Sequence, residues 1–343
     1  MSAFDEATGF LGLYDAARRA SRGKRLSVEA QRFLLDVEPE CLRLEAELRT
    51  GRWRPGPYRV FWIRDPKPRR ICAAPFRDRV VHQAVSQVLE PLVESALGPC
   101  TYACRPGLGT AAALAAVRRL ALETEWFLKL DVRHYFEVIP HRRLLAQVAT
   151  LVSDPRLVAL LSQIVAHGAP GSASGEGLPI GNLTSQHLAN LYLAPFDMAM
   201  ASDPASHGAI RYMDDMLIFG SRDGLGALEA RAVRVLEHEL RLPVKHAATR
   251  RGPVGSGVPF LGFRVFPGLV RFDAARARRF RRMIRGLRRA LARGQLTPER
   301  AQAATLSLVA WARNGDTTRL RTSVINKKPG TEPTTMASDA VGS

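Results

Sequence analysis

Two adjacent aspartates inside a stretch of strand composition constrain this chain more than anything else in it. Ile210-Arg211-Tyr212-Met213 runs into Asp214-Asp215, and Met216-Leu217-Ile218-Phe219 follows at once. Burying an unpaired carboxylate costs several kcal/mol or raises its pKa until it takes a proton, and two neighbours repel each other besides. A turn that exposes both acids to solvent is the plain explanation. A third acid changes the weighing: Asp131 closes a second apolar strand, Trp126-Phe127-Leu128-Lys129-Leu130. Three carboxylates converging from neighbouring strand ends would make an oxygen-rich site for two Mg2+ ions ~3.5–4 Å apart, with Mn2+ as a substitute, suited to in-line phosphoryl displacement. Incoming phosphates then need cations beside them, and Lys67, Arg69 and Arg70 on an early hairpin are the candidates.

The charge balance agrees with a phosphate-bearing partner. Fifty Lys and Arg against 32 Asp and Glu leave +18, an excess that favours nucleic acid first and an acidic membrane surface second. Most of it is arginine, whose planar fork holds phosphate oxygens two at a time. No run approaches the ~18 apolar residues that span a bilayer. The N-terminal MSAFDEATGFLGLYDAARR carries acids and no basic leader, which predicts a cytoplasmic protein with no membrane partner. Cys41, Cys72, Cys100 and Cys104 are too few and too scattered for a disulfide framework, and no second Cys or His pair completes a zinc site.

Periodicity divides the chain. Residues 1–50 read as helices, with Phe10, Leu13, Tyr14 and Ala17 on one face. Tyr58–Arg64 and Arg70–Ala74 read as strands joined by the turn Asp65-Pro66-Lys67-Pro68. Helices are predicted over Arg79–Leu97, Thr110–Glu123, Pro140–His167, Ser185–Met200 and Leu225–Leu240, and a single strand over Pro259–Phe266. Residues 271–293 hold ten arginines and one acid, with Phe280, Met283, Ile284, Leu287 and Leu291 forming an apolar stripe. Such a face repels itself unless phosphates neutralise it, so Arg278, Arg282, Arg285 and Arg289 are read as nucleic-acid contacts rather than as an ordinary solvated face. Beyond Arg321 the tail is polar and is expected to be disordered.

The ordered blocks then resemble a known family. Tyr212-Met213-Asp214-Asp215 matches the YxDD box of reverse transcriptases, and Leu130-Asp131-Val132-Arg133-His134-Tyr135-Phe136 looks like their first metal-binding motif. Lys67–Ile71, Arg77–His82, Tyr102–Gly109, Gly177–Gln186 and Phe260–Phe263 follow the order of the bacterial branch. The resemblance implies an α+β right-hand polymerase with fingers, palm and thumb, an antiparallel palm sheet and a helical thumb. It implies N-terminal helices and fingers over residues 1–125 and a palm over 126–270, with a fingers segment near 168–200. A basic thumb over 271–321 and a tail over 322–343 complete the division. The catalytic acids would be Asp131, Asp214 and Asp215, with metals on Asp131, Asp214, the Val132 carbonyl and the adjacent Asp215. Phe136 would be the aromatic gate that excludes a 2′-hydroxyl, and Lys245 falls where the next palm motif carries a lysine. Phe260, Leu261 and Gly262 would form the primer grip, Gly262 letting backbone approach the primer.

Within the family, Pro179-Ile180-Gly181-Asn182-Leu183-Thr184-Ser185-Gln186 departs from the P-Q-G-x-x-x-S-P of group II intron enzymes and resembles diversity-generating retroelements. That likeness implies error-prone cDNA synthesis, chiefly opposite template adenines, with Ile180 and Gly181 beside the nascent pair. It also implies a template RNA, an RNA–DNA hybrid, dNTPs and a basic, oligomeric accessory variability protein as partners. Another stand-alone bacterial reverse transcriptase (retron, abortive-infection or degenerate intron type) is the alternative, and a non-catalytic RNA-binding polymerase fold is a third.

Overall fold

The computed structural model describes residues 2–23, 27–64 and 68–325. Four helices open the chain, Ala3–Thr8, Phe10–Ala20, Val28–Leu35 and Val37–Arg49. The first and third start where a serine, Ser2 or Ser27, caps the free amides with its hydroxyl. Strands β1 (Arg59–Arg64) and β2 (Pro68–Ala73) form an antiparallel hairpin by themselves. After the long helix Phe76–Ala96 and the helix Thr110–Glu123 comes β3 (Trp126–Asp131). β4 (Ser206–Tyr212), β5 (Asp215–Gly220) and β6 (Arg250–Pro253) join it in an antiparallel sheet ordered β4-β5-β3-β6. A third sheet, β7 (Val258–Phe260), β8 (Phe263–Phe266) and β9 (Leu269–Phe272), leads into the helices Ala274–Ala292, Pro298–Ala312 and Thr318–Ile325.

Side-chain alternation explains why the four-stranded sheet sits at the centre. Leu128, Leu130, Met216 and Ile218 point into a core shared with the N-terminal helices and Phe76–Ala96. Phe127, Leu217 and Phe219 point to the other face, into a core with Thr110–Glu123, the third sheet and Phe280 and Ile284 of the basic helix. Both faces are covered, so its central strands read as apolar runs.

Some expectations are revised. The helix predicted over Pro140–His167 is two, His141–Leu151 and Pro155–Ala166, because Asp154 caps the second and Pro155 cannot continue the first. Ser185–Met200 likewise divides into Leu183–Tyr192 and Ala194–Ala201. The strand predicted over Pro259–Phe266 folds back at Leu261 and Gly262, both with positive φ (47° and 74°), and pairs with itself as β7 and β8. Of the expected disordered tail, residues 322–325 complete the last helix and the rest lie outside the described residues. No helix among the described residues is long and apolar enough to cross a membrane.

Candidate active site

The β4–β5 hairpin decides where the acids stand. Tyr212 pairs with Asp215, which leaves Met213 and Asp214 as a two-residue turn. Such turns need positive φ, and Met213 supplies it at 56°. β3 lies beside β5 with Asp131 opposite Asp215. Two acids therefore face each other across adjacent strand ends, and the third occupies the turn beside them.

Their electrostatics differ. Burial pushes the Asp214 carboxyl up to about 6; the charges of Asp131 and Asp215 push the same way, while a backbone hydrogen bond and Arg69 partly oppose them. Asp215 is compensated: the Lys129 ammonium bonds to its Oδ1 and to the Pro259 carbonyl at 3.1 Å, and the Leu261 N–H approaches Oδ2 at 3.4 Å. Asp131 has Lys245 Nζ 4.0 Å from Oδ2, and its carbonyl accepts the Lys245 N–H at 2.8 Å. Val132 is buried and bridges to Val244, which fixes the chain just beyond Asp131.

The three carboxylates do not close into a cage. Among the described residues no group of three or more His, Cys, Asp and Glu is placed to hold a metal ion, and Asp215 is taken up by Lys129 and the β7–β8 turn. The donors nevertheless suit a hard divalent cation. Mg2+ commonly takes one or two carboxylates and completes its shell with water and substrate phosphates. Asp131 and Asp214 offer two such carboxylates side by side at the strand ends.

The other expected residues fall into three groups. Arg69 and Arg70 lie on opposite faces of β2: Arg69 acts on Asp214, whereas Arg70 lies against the loop at Gly171, so both cannot serve one ligand by the same face. Lys67 lies outside the described residues. Ile180 and Gly181 abut β2: the Ile180 carbonyl accepts the Cys72 N–H at 2.8 Å, and a Cβ on Gly181 (φ 127°) would meet the Cys72 carbonyl at 2.9 Å. Phe136 is half-buried, edge-on to Tyr135, and its carbonyl accepts the Leu178 N–H at 2.6 Å. The same backbone thus joins Phe136 to the loop that carries Ile180.

Gly262, expected in the primer grip, has a close neighbour from the chain itself. What comes close to its backbone is the Arg276 guanidinium, only 2.4 Å from where a Cβ would stand. Arg276 bonds to the Leu261 carbonyl and lies over Phe263 and Trp311 (5.2 and 4.6 Å to the ring centroids). Gly262 therefore makes room for the first turn of the basic helix, and Phe260 is buried beneath. Arg278, Arg282, Arg285 and Arg289 are exposed on that helix, and no carboxylate among the described residues pairs with them.

Sequence reasoning missed a polar quartet under the turn. Arg211, 1% exposed, grips Asp197 with two bonds of 2.6 Å and also donates to Thr101 Oγ1 at 2.8 Å, Asn190 Oδ1 at 3.0 Å and the Met213 carbonyl at 3.3 Å. Removing one member of such a pair strands a buried charge, at a cost of about 3–5 kcal/mol. The available signal was one charge beside apolar neighbours in each element: Arg211 after Ala209 and Ile210 in β4, and Asp197 in Ala194–Ala201.

Residues 64–265 match the family described as "Reverse transcriptase (RNA-dependent DNA polymerase)". The chain is 26% identical over 286 residues to protein YkfC of Escherichia coli, covering 71% of this chain and 74% of that one. It is 25% identical over 167 residues to the group II intron-encoded protein LtrA of Lactococcus lactis, covering 47% of this chain and 28% of LtrA. A putative COX1/OXI3 intron 1 protein of Saccharomyces cerevisiae is 24% identical over 162 residues, 45% of this chain and 19% of that protein. The chain thus spans under a third of these intron proteins. Among solved structures, apo telomerase from Candida tropicalis superposes with a TM-score of 0.50 at 11% identity, over 64% of this chain and 49% of that one. Telomerase from the same species with a fragment of telomeric RNA gives 0.51 at 10% identity, over 75% and 53%. These likenesses show the fold: an α+β right-hand polymerase with an antiparallel palm sheet and helices around it.

Proposed function

The chain belongs to the reverse transcriptase (RNA-dependent DNA polymerase) family, and from that membership we propose that it copies an RNA template into DNA at the Asp131–Asp214 end of its central sheet. The observation that carries the reading is geometric: Asp131 and Asp215 stand opposite each other at adjacent strand ends, with Asp214 in the turn beside them. Asp131, Asp214 and the Val132 carbonyl would hold two Mg2+ ions, or Mn2+. When bound, these lower the pKa of a primer 3′-hydroxyl and neutralise the triphosphate and leaving pyrophosphate. Arg69 adds positive charge on the incoming-nucleotide side, with Lys67, two residues earlier in the sequence, a further candidate for the triphosphate. Phe136 excludes a 2′-hydroxyl, and the turn after Phe260 supports the primer end. Arg278, Arg282, Arg285 and Arg289 contact hybrid phosphates without reading sequence. In this reading residues 1–125 are N-terminal helices and fingers, 126–270 the palm with a fingers segment near 168–200, and 271–321 the basic helical thumb.

The test is primer extension on an RNA template with dNTPs and Mg2+. No extension by the wild-type protein sinks the proposal and leaves an RNA-binding polymerase fold in its place.

A finer reading concerns the kind of reverse transcriptase. The relatives above include intron-encoded proteins, which favours a stand-alone enzyme of that lineage. Ile180 and Ser185-Gln186 support the diversity-generating type, which would add a template-repeat RNA and a basic accessory protein as partners. An apolar Ile180 offers no hydrogen bond to the nascent pair, and each ~1.4 kcal/mol of lost discrimination is about tenfold in error ratio. The diversity-generating reading expects errors concentrated opposite template A and fewer of them in Ile180→Gln. Even, rare errors over the four bases leave the intron lineage as the better assignment.

A further inference from the structure

We infer that Arg211 is the positioning residue of the catalytic turn: it holds the Met213 carbonyl and so fixes where Asp214 stands. The inference rests on the polymerase reading for its consequence and on geometry for its argument. Met213 carries a positive φ of 56°, a backbone state that a residue with a side chain keeps only when its surroundings hold it there. Its carbonyl accepts from Arg211 Nη1 at 3.3 Å.

The rest of the guanidinium is occupied in a way that fixes the direction of this contact. Nε and Nη2 grip Asp197 at 2.6 Å each, Nη1 also reaches Asn190 Oδ1 at 3.0 Å, and Nη2 also reaches Thr101 Oγ1 at 2.8 Å and the Asn190 carbonyl at 3.2 Å. Thr101 closes the ring by donating to Asp197 at 2.6 Å. The donors of the fork are spent on acceptors from three separate segments. Arg211 and Asp197 are each 1% exposed, so no water competes for them. The Arg211 backbone is held on both sides as well, its N–H on the Cys100 carbonyl at 2.7 Å and its carbonyl on the Tyr102 N–H at 2.9 Å.

Stability alone does not account for such a cluster. An apolar pair of similar volume commonly serves a core as well as a buried ion pair. What an apolar pair cannot supply is a rigid donor aimed at the carbonyl next to Asp214. Lysine keeps the charge against Asp197 but has no planar fork with which to reach Met213 at the same time.

The experiment compares wild type, Arg211→Lys and the double replacement Arg211→Met/Asp197→Leu. Each is followed by thermal unfolding, primer–template affinity, steady-state extension on an RNA template, and amide hydrogen exchange without metal. Expected are folded variants with unchanged primer–template Kd and a kcat lower on the order of 100-fold, the effect of about 1 Å of misplacement. KM for dNTP should move less than about threefold, and the Met213–Asp215 amides should exchange faster in both variants. Should the lysine variant fail to fold, the apolar pair carries the test. A wild-type kcat per folded molecule, or unchanged exchange at the turn, overturns the inference. If the wild-type protein extends no primer, the polymerase reading fails on its own, and exchange at the turn still judges what Arg211 holds.

Discussion

The antiparallel hairpins β4–β5 and β1–β2 are of similar length, and they are built oppositely. In β5, Met216, Leu217, Ile218 and Phe219 are at most 1% exposed, whereas in β1 Val60, Phe61, Trp62 and Ile63 are 40–61% exposed. The β4–β5 hairpin is sandwiched between two cores and held from beneath by Arg211. The β1–β2 hairpin has no third strand and little apolar cover, so opening it costs little. The difference teaches where precision is needed. The acids must keep fixed positions, and they sit on the hairpin that cannot shift. In the proposed reading Arg69 serves a nucleotide that enters and leaves, and it sits on the less buried hairpin.

The comparison breaks most visibly at the acids. Asp214→Asn should reduce dNTP incorporation to below about 1% of wild type, since the metal site loses a charged oxygen ligand, with RNA affinity unchanged in a filter-binding titration. Extension at wild-type rates would move the chemistry away from this turn. Next in size is packing: Leu217→Ala should destabilise by about 2–5 kcal/mol, and Trp62→Ala by no more than about 0.5 kcal/mol. Equal shifts in denaturant midpoints would mean that the β1–β2 hairpin is also held by packing.

A pH effect of similar size comes from the long helix Phe76–Ala96. Burial, with His167 adding to it, pushes His82 down to about 4 from 6.5. The folded state thus resists the proton that the unfolded chain accepts. Stability from this source is full above about pH 6.5 and lost as pH falls towards 4, on the order of 3 kcal/mol in all. Denaturation midpoints for wild type and His82→Leu across that window test it; parallel curves would remove His82 as the cause. The smallest effect sharpens the contrast. Arg69→Gln should raise KM for dNTP about tenfold, as expected for one charge-assisted contact, with kcat changed little. A kcat loss as large as that of Asp214→Asn would erase the division between fixed and adaptable hairpins.

Much of this was readable in advance because local rules governed it. Trp126–Asp131 and Thr110–Glu123 stand at the expected bounds, since alternation and helical spacing there met no competing signal. The acids could be paired in advance because each interrupts or ends an apolar run. Pro259–Phe266 misled because its composition is that of a strand throughout, and only the positive φ at Leu261 and Gly262 turns it back. The Arg211–Asp197 pair, the Lys129–Asp215 contact and the seat of Arg276 against Gly262 join residues distant in sequence or on different elements. No periodicity encodes them.

The contacts that hold Arg211 from the side have a consequence for how the protein behaves in a crowded solution. β4 is the outer strand of the central sheet, and a bare outer strand invites pairing with another chain. Here Thr101 bridges to Arg211 in parallel, and the Cys100 carbonyl and Tyr102 N–H use the groups that a stranger would need. At the opposite margin β6 is four residues long and carries Arg250 and Arg251 outward, both exposed. Short length and like charge discourage pairing there too. The segment that holds Arg211 thus also covers part of the outer edge of the sheet.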